Sequence, residues 1–598
     1  MEPILINACK NMPRQDYPRP SWARKEWYSL NGEWEFEFDF SVSGEQRAMF
    51  LNGEFKSKIT VPFCPESSLS GIGYKDFMPC VWYRKRLNID IPQNKRVLLH
   101  FGAVDYESRV WVNGNLCGTH KGGYCAFSYD ITDYLNCGEN TIVVMAKDNL
   151  RSLKQPFGKQ SDRLYSYACS YTRTTGIWQT VWLEFVPETY LVSSKMTPHA
   201  KDGALEISVK GSSRDLENYF VKATAFLGGK EMGYGIAHFT GDIASTLLKV
   251  SEIHLWEVLN PSLYDLKIEL FKDGESLAAD TVYSYFALRD ISFNKNGLLV
   301  NGKPVFMRLV LDQGFNPDGI YTGPSAQFLE KDIDLSIALG FNGARLHQRV
   351  FEERTLYYAD KKGYIVWVEA PSGIDLGKND ATEAFLPEWT EIINSHYNHP
   401  AVIGWCPFNE IYHCKVLNVE TITTVYNFTK QLDPYRPCID ASGGTHYETD
   451  MFDVHDYEQY PERLKNYLAP MLLDPLAFTS PVARYRGSAP VRKDVYKGQP
   501  YWVSEFGGTF WNPDIDKDSD AWGYGDAPKS EEEFISRFEG LVDTLLNHPR
   551  VCGFCYTQLT DIEQEQNGLY FYDRTPKFSK ETYKRIYKAL KAPSTIEK

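Results

Sequence analysis

The 598-residue sequence lacks the features that mark several large classes of protein. No apolar run approaches the roughly 20 residues that a helix needs to span a bilayer, so no membrane association is expected. Basic tracts and RNA-binding signatures are absent and the net charge is −14, which argues against nucleic acid as a partner. The N-terminus lacks a basic segment followed by an apolar one, so a cytoplasmic location without a secretory signal is expected.

The 12 cysteines are scattered and form no dense framework, which predicts reduced thiols. One C-x-x-C pair, Cys552 and Cys555, lies in the apolar stretch VCGFCYTQ. It has no second Cys pair or His pair at zinc spacing, which favours a buried strand over a metal or redox site. Neither a metal nor a cofactor is therefore expected.

Hydrophobic patterning divides the chain into three regions. Residues 1–186 show short alternating segments broken by turns, which predicts an N-terminal β jelly-roll sandwich. Residues 187–288 continue this alternation in ALEISVKG and LYDLKIELF, as in an immunoglobulin-like β-sandwich. In residues 289–598, strand-like and helical runs alternate.

The third region contains eight strand-like runs, and amphipathic segments separate many of them. The runs are VFMRLV (305–310), NGARL (342–346), YIVWVE (364–369), AVIGWCPF (401–408), PCIDASG (437–443), MFDVHDY (451–457), YWVSEF (501–506) and VCGFCYTQ (551–558). Eight strands with intervening helices predict a C-terminal (β/α)8 TIM barrel. The long polar segment 461–500 is expected to fold over the mouth of this barrel.

Two glutamates close apolar strands of the predicted barrel. Strand four ends in Asn409-Glu410, and strand seven ends in Ser504-Glu505. Barrel active sites lie at the C-terminal ends of strands, and a charge there is costly unless it is paired or functional. A salt bridge would explain one such glutamate, but two on strands four and seven favour catalysis. A gap of ~5–5.5 Å between the carboxyl groups would give retention and one of roughly 6.5–9.5 Å inversion, and sequence does not supply this distance.

Several longer segments resemble glycoside hydrolase family 2, and they occur in the family's order along essentially the whole chain. The segments are SLNGEWEFEFD (29–39), VPFCPESSLSGI (61–72), VWYRKRL (81–87), YTRTTGIWQTVWLE (171–184), WEVLNPSLYDL (256–266), HPAVIGWCPFNE (399–410) and YWVSEFGG (501–508). The resemblance implies a retaining exo-β-glycosidase, with Glu410 as the acid/base and Glu505 as the nucleophile.

The same resemblance implies roles for four more residues. Asn409 corresponds to the Asn that binds the sugar 2-hydroxyl, and Arg345 to the Arg that supports the nucleophile. Tyr457 corresponds to the Tyr that orients the nucleophile, and Tyr556 lies near the strand-eight aromatic that forms the floor of the glycone site. For Arg345 and Tyr457, ordinary packing inside the barrel is the alternative.

The sequence departs from the family after strand two, where many members have a His three residues beyond the Arg. Here the run is Arg345-Leu346-His347-Gln348, so His347, Gln348 or neither of them makes that contact. His455 and Asp312 are further candidates for sugar hydroxyls, as is Gln313, although a solvated loop explains the last two about as well.

A galacto-configured glycone is the first choice from the sequence, which would make the protein a β-galactosidase. The run DIEQEQNGLYFYDRTPK lacks the Asn-x-Lys pair with which the family's β-glucuronidases hold the uronate carboxylate. The alternative is a β-hexuronidase, either a β-galacturonidase or a β-glucuronidase, with an arginine-lined carboxylate pocket. The available arginines are Arg345, Arg349, Arg354, Arg484, Arg486 and Arg492, although solvated surface charge explains most of them.

Two other functions are weighed against a glycosidase. One is a carbohydrate-binding protein that has lost catalysis, but such proteins usually lose one carboxylate and both are present here. The other is a metal-dependent barrel hydrolase, for which only His347 and His455 stand at strand ends. The expected partner is a β-linked oligosaccharide or glycoconjugate, and a homodimer or tetramer is expected from the resemblance alone.

Overall fold

The computed structural model describes residues 12–89, 93–377, 380–413, 417–474, 496–513 and 519–598. Its first unit is a β-sandwich whose sheets have the orders β1-β12-β5-β9 and β3-β2-β4-β10-β7-β8, with β11 and β6 as a separate pair. The strands are β1 Trp27–Ser29, β2 Gly32–Phe38, β3 Ser57–Val61, β4 Cys80–Ile89, β5 Lys95–Phe101, β6 Val104–Asp105, β7 Glu107–Val112, β8 Asn115–Lys121, β9 Phe127–Asp130, β10 Gly138–Lys147, β11 Gly176–Ile177 and β12 Val181–Pro187. All pair antiparallel around one apolar core, which agrees with the jelly-roll prediction.

The second unit is a smaller sandwich with the sheet orders β13-β14-β17 and β16-β15-β18-β19. Its strands are β13 Leu191–His199, β14 Ala204–Gly211, β15 Tyr219–Leu227, β16 Lys230–His238, β17 Ile243–Lys249, β18 Tyr264–Lys272 and β19 Asp280–Phe286. Leu205, Ile207 and Val209 alternate into its core because successive side chains of a strand point to opposite faces.

A three-stranded antiparallel sheet leads into the barrel. It comprises β20 Ile291–Asn294, β21 Gly297–Val300 and β22 Lys303–Val305. The barrel strands one to eight are β23 Met307–Asp312, β24 Gly343–Leu346, β25 Ile365–Glu369, β26 Val402–Cys406 with β27 Phe408–Asn409, β28 Ala441–Ser442, β29 Phe452–Asp456, β30 Tyr501–Gly507 and β31 Val551–Thr557. Seven of these pair in parallel in the order β26-β25-β24-β23-β31-β30-β29, and β27 pairs in parallel with β28. The TIM-barrel prediction is thus confirmed. Cys552 and Cys555 lie buried in β31, as the prediction of a buried strand requires.

Helices surround the barrel, and a short one lies in the jelly roll. They are α1 Met49–Asn52, α2 Ala326–Leu339, α3 Glu353–Lys362, α4 Ala381–His396, α5 Val419–Leu432, α6 Pro461–Leu468, α7 Pro470–Leu473, α8 Glu531–Leu546 and α9 Lys580–Leu590. Helix α8 begins where the Ser530 hydroxyl accepts a hydrogen bond from the Glu533 amide at 3.2 Å. Its apolar face, which includes Phe534 and Phe538, packs toward β31.

The predicted loop before strand seven begins with helices α6 and α7 and thereafter enters residues 475–495, which lie outside the described residues. Across the described ranges, no helix has the length and apolar character needed to cross a bilayer. The parallel barrel directs all its strand ends to one rim, and both candidate glutamates lie there.

Candidate active site

Glu410 and Glu505 come together at the C-terminal rim of the barrel. Glu410 follows β27, and Glu505 lies in β30. One carboxylate oxygen from each lies within 4.8 Å of the other and of a ring nitrogen of His455. Glu410 has a φ of 50°, in the left-handed region that non-glycine residues seldom adopt. Such backbone conformations cost energy and cluster at functional sites, and the φ of Glu410 agrees with a functional role for this residue.

Arg345 fixes the side chain of Glu505. Its guanidinium donates to Glu505 Oε1 at 2.7 Å, to Asn409 Oδ1 at 2.6 Å and to a carboxylate oxygen of Glu369. The planar fork of arginine suits three such acceptors at once. Burial alone would raise the pKa of Glu505, but His455 and Arg345 outweigh burial and hold that pKa below its ordinary value. Glu505 is therefore an ionised carboxylate beside a fixed cation.

Glu410 has different surroundings. Its Oε1 accepts a hydrogen bond from the Tyr412 hydroxyl at 2.6 Å and lies 2.8 Å from His455 Nδ1. Its side chain is 20% exposed, whereas that of Glu505 is 5% exposed. Unequal surroundings of this kind let one carboxyl group exchange protons while the other stays ionised.

His455 joins the two glutamates. Its Nδ1 lies 3.3 Å from Glu505 Oε2, and its Nε2 lies 3.1 Å from the Ser442 hydroxyl. Burial lowers the pKa of His455, but Glu505 and Glu410 together raise it above its ordinary value. The sequence offered His455 as a candidate for binding sugar hydroxyls, and the structure places it between the two carboxylates.

Tyr457 makes the second hydrogen bond to the buried carboxylate. Its hydroxyl donates to Glu505 Oε2 at 2.5 Å and lies 3.1 Å from Thr557 Oγ1. The ring stacks on Tyr524, with centroids 3.4 Å apart and planes 5° from parallel. Arg345 and Tyr457 thus hold one oxygen each, which fixes the orientation of Glu505.

Replacing Tyr457 by Phe should lower kcat by about 10- to 150-fold, because it removes one hydrogen bond to a charged group and keeps the ring stack. The measurement is steady-state kinetics on an aryl β-glycoside. Tyr426→Phe is the matched control, since that hydroxyl donates to Asp450 at 2.9 Å. Equal losses in both variants would show that Tyr457 does no more than stabilise the fold.

Glu369 is a third buried carboxylate that the sequence did not single out. It closes β25, and its Oε2 lies 2.9 Å from His347 Nδ1 and accepts the Gln348 amide at 3.2 Å. His347 Nδ1 also lies 4.0 Å from Glu505 Oε1. The signal was available, because YIVWVE is an apolar strand ending in a glutamate, like the strands of Glu410 and Glu505.

Tyr556 does not form the floor of the site, and that prediction is wrong. Its ring packs on Phe538 of α8 at 5.1 Å and on Phe506 at 5.5 Å, in the layer between strand and helix. Side chains alternate along a strand, so the inward residues of β31 are Cys555 and Thr557. The Thr557 hydroxyl faces Tyr457 accordingly.

Asp312 is likewise turned away from the site. It shares the side of β23 with Arg308, whose guanidinium binds Glu597 at the chain's C-terminal end. Burial, and next the carboxylate of Asp332, raise the pKa of Asp312 to about 7. The following residue, Gln313, turns inward, where its amide donates to Gln558 Oε1 at 2.7 Å.

The predicted arginine-lined carboxylate pocket is not formed by the described residues. Arg345 is committed to glutamates and Asn409. Arg349 donates to the carbonyls of Gly314 and Tyr321. Arg354 pairs with Asp16 at 2.7 Å. The remaining candidates, Arg484, Arg486 and Arg492, lie outside the described residues.

A segment of the first domain, residues 157–172, lies against the barrel rim and is called the jelly-roll loop below. The Gly158 amide donates to the Ser372 carbonyl beyond strand three at 2.8 Å. The Trp522 indole, beyond strand seven, donates to the Ala168 carbonyl at 2.8 Å. The sequence did not predict this contribution, because no periodicity reports contacts between loops of different domains.

The jelly-roll loop also meets the segment that follows strand eight. The Tyr171 hydroxyl donates to Glu565, and Asn567 donates to the other Glu565 oxygen at 3.0 Å. Gln558 donates to Asn567 at 2.9 Å, and Gln313 lies 3.2 Å from the Tyr171 hydroxyl. These bonds form a connected polar wall. Burial, and to a lesser degree the charge of Glu505, raise the pKa of Glu565, so the wall adjoins the glutamates.

Glu410, His455 and Glu505 also form a group with the ligand types that metal ions prefer. The Glu505 oxygens, however, already accept bonds from Arg345 and Tyr457. A guanidinium 2.7 Å from the carboxylate repels a divalent cation. These donors suit proton and glycosyl transfer better than metal binding.

Two family models match the chain. The model for the family 2 glycosyl hydrolase sugar binding domain matches residues 27–183, and the model for the family 2 TIM barrel domain matches residues 291–472. Together these ranges cover more than half of the 598 residues. The chain belongs to glycosyl hydrolase family 2. This membership confirms the resemblance of the sequence segments and agrees with the three-domain fold.

Relatives within family 2 carry two different names. A putative beta-glucuronidase of Formosa agariphila is 30% identical over 344 residues, which are 55% of this chain and 40% of that protein. The beta-glucuronidase of Bacteroides fragilis is 25% identical over 75% of this chain and 66% of that protein. The chain thus spans less than two thirds of the length of both. A beta-galactosidase of Thermoanaerobacter pseudethanolicus is 25% identical over 66% of this chain and 52% of that protein.

Solved structures show the same fold. The beta-glucuronidase of Lactobacillus rhamnosus superposes with a TM-score of 0.76 over 99% of both chains, at 18% sequence identity. The likeness extends through all three domains, so the jelly-roll loop and the barrel rim belong to one architecture.

Proposed function

We propose that the protein is a retaining exo-β-glycosidase that hydrolyses β-hexuronides. The observation that carries the proposal is the pair of carboxylate oxygens of Glu410 and Glu505 within 4.8 Å of each other. Retaining enzymes place their carboxyl groups about 5–5.5 Å apart, whereas inverting ones leave room for a water at roughly 6.5–9.5 Å. Membership of family 2 supports the same mechanism.

In this mechanism Glu505 attacks the anomeric carbon while Glu410 protonates the leaving oxygen. The Glu505–sugar bond forms as the glycosidic bond breaks, and Glu410 then removes a proton from the water that releases the sugar. Arg345 and Tyr457 hold Glu505 ionised and oriented, and the more exposed Glu410 can exchange its proton with solvent. Asn409, fixed by Arg345, presents its amide to the sugar 2-hydroxyl.

The polar wall between the jelly-roll loop and the segment after strand eight supports an exo mode of action. Tyr171 and Glu565 join the two segments beside the glutamates. A site closed on one side accepts the end of a sugar chain, because a continuing chain would meet the wall. The partner is accordingly a terminal β-linked sugar.

The names of the relatives favour an acidic glycone, whereas the first choice from the sequence was a galacto-configured one. Relatives from Formosa agariphila and Bacteroides fragilis are named for glucuronide hydrolysis, and this favours a hexuronide over a neutral galactoside. A β-galactoside remains the second candidate. Glu565 favours it, because this buried carboxylate stands in the run that lacks the Asn-x-Lys pair of typical β-glucuronidases.

A panel of 4-nitrophenyl β-glycosides tests the proposal. The glucuronide, galacturonide, galactoside, glucoside and mannoside are compared by kcat/KM with the wild-type protein. We expect a hexuronide to exceed every neutral sugar by at least about 10-fold, since a charged contact contributes that much. A faster galactoside would select the second candidate. Hydrolysis of none of them would refute the enzyme assignment and favour a carbohydrate-binding protein.

A further inference from the structure

Lys159 brings a cation to the active site from outside the barrel. It lies in the jelly-roll loop, where its carbonyl accepts the Tyr171 amide at 2.8 Å. A Cβ on the preceding Gly158 would lie 2.2 Å from the Gln348 carbonyl, so the backbone here packs directly on the barrel rim. The next residue, Gln160, is buried toward the jelly roll, where its amide donates to Asp105 at 2.8 Å. Lys159 therefore lies where the backbone of the jelly-roll loop meets the barrel rim.

The surroundings of the Lys159 amine are those of the catalytic pocket. The nearest group is the Cys169 thiol of the same loop, which hydrogen-bonds the amine but is a neutral partner as a thiol. Its charged neighbours are Glu410, Glu505 and Glu565, and its charge also acts on His347. Burial lowers the pKa of Lys159, but the neighbouring groups outweigh burial and raise it, so the amine stays protonated. The side chain is half-buried and remains within reach of a ligand.

None of these carboxylates needs Lys159 as a partner. Glu505 is held by Arg345 and Tyr457, and Glu565 accepts from Tyr171 and Asn567. The ion pairs that Glu505 and Glu410 make within the described part of the chain are with Arg345, His347 and His455, and none of them includes the Lys159 amine. An ammonium group removed from bulk water without a direct anionic partner is costly, which points to an anion that arrives with the substrate.

The first two cations that follow strand eight in the sequence are already bound. The Lys577 amine lies 2.6 Å from Asp561, and Arg574 pairs with Asp332 at 2.9 Å. The segment after strand eight instead offers Glu565 and Asn567 to the pocket. Lys159 therefore faces the glutamates and has no ion-pair partner among the described residues.

We infer that Lys159 binds the carboxylate of a β-hexuronide, so that the first domain supplies the residue that selects for an acidic glycone. This inference rests on the proposed function and deepens it, because it names the group that recognises the substrate. The contact is a charge-assisted hydrogen bond between the ammonium and the uronate. Glu565 lies on the same wall and serves the sugar hydroxyls as an acceptor.

Lys159→Met tests the inference, because methionine keeps the length of the side chain and removes its charge. We expect kcat/KM for 4-nitrophenyl β-glucuronide or β-galacturonide to fall by about 10- to 150-fold, with activity on the matched neutral glycoside unchanged or increased. Lys159→Arg should recover part of the loss. Lys154→Met is the control, since Lys154 lies in the same connection with its side chain 67% exposed.

Equal losses on acidic and neutral substrates would overturn the inference, because Lys159 would then only balance the charges of the glutamates. A binding measurement separates this outcome from failure of the proposed function. Calorimetry with sodium glucuronate, sodium galacturonate, glucose and galactose requires no turnover. Wild-type protein should bind an acid more tightly than its neutral counterpart, and Lys159→Met should remove the difference. Equal affinities in the wild type would refute the role of Lys159 even if the protein hydrolyses neutral glycosides.

Discussion

Replacing Glu505 by Gln should lower kcat/KM by at least about 10⁴-fold on every substrate, because an amide cannot form the covalent sugar ester. The substitution is nearly isosteric, and one of the two donors, Arg345 or Tyr457, can still donate to the amide oxygen. The fold should therefore persist, with an unchanged circular dichroism spectrum and a thermal midpoint close to that of the wild type. Kinetics on the preferred 4-nitrophenyl glycoside measure the loss.

A covalent label distinguishes loss of the nucleophile from indirect damage. A 2-deoxy-2-fluoro glycoside with a good leaving group should glycosylate the wild-type protein on the peptide that contains Glu505, as read by mass spectrometry. Glu539→Gln is the matched control, because that glutamate pairs with Arg585 on the outer helices. Near-normal activity of Glu505→Gln, or a label on another residue, would contradict the assignment.

Replacing Glu410 by Ala should produce a loss that depends on the leaving group. We expect about 10²- to 10⁴-fold lower kcat/KM for an alkyl or sugar aglycone, which needs protonation to depart. A dinitrophenyl aglycone needs little protonation, so its glycosylation step should be much less affected. Comparison of a series of aryl glycosides measures this dependence.

Azide should restore turnover of the Glu410→Ala protein on activated substrates. The small anion enters the space left by the carboxylate and attacks the glycosyl intermediate without base catalysis. The product should be a β-glycosyl azide, because two inversions preserve the anomeric configuration. The wild type serves as the control and should form little azide product. A loss of equal size for all leaving groups, with no rescue, would remove Glu410 from the acid/base role.

The sequence predicted well those features that depend on strand order. A parallel barrel gathers the ends of its strands at one rim, so glutamates closing apolar strands were expected to meet, and Glu410 and Glu505 do. The same rule could have found Glu369, which closes strand three. Family 2 segments placed Arg345 and Tyr457 correctly beside Glu505.

Two errors came from the direction in which side chains point within a strand. A shift of one residue moves a side chain from the barrel interior to the helix layer. Tyr556 was selected as an aromatic near the end of strand eight, but Cys555 and Thr557 face inward instead. Asp312 lies on the same outward face of its strand as Arg308, and the next residue, Gln313, points inward instead.

The contribution of the jelly-roll loop could not be predicted from local patterns. Lys159 and Glu565 are about 400 positions apart in sequence, and only the docking of two domains brings them near each other. Neither periodicity nor residue spacing encodes such docking, because it depends on the complementary shapes of two finished surfaces. Charge composition gave no hint either, since the chain is acidic as a whole.

Because the jelly-roll loop docks on the barrel rim, catalysis and substrate selection are assigned to two different domains. The barrel carries the two catalytic glutamates, and the first domain carries Lys159, the side chain that we infer binds the uronate carboxylate. Substitutions in that loop can therefore retune substrate preference while the reactive pair keeps its geometry. A chimera that receives this loop from a relative would inherit a new selectivity together with an old mechanism.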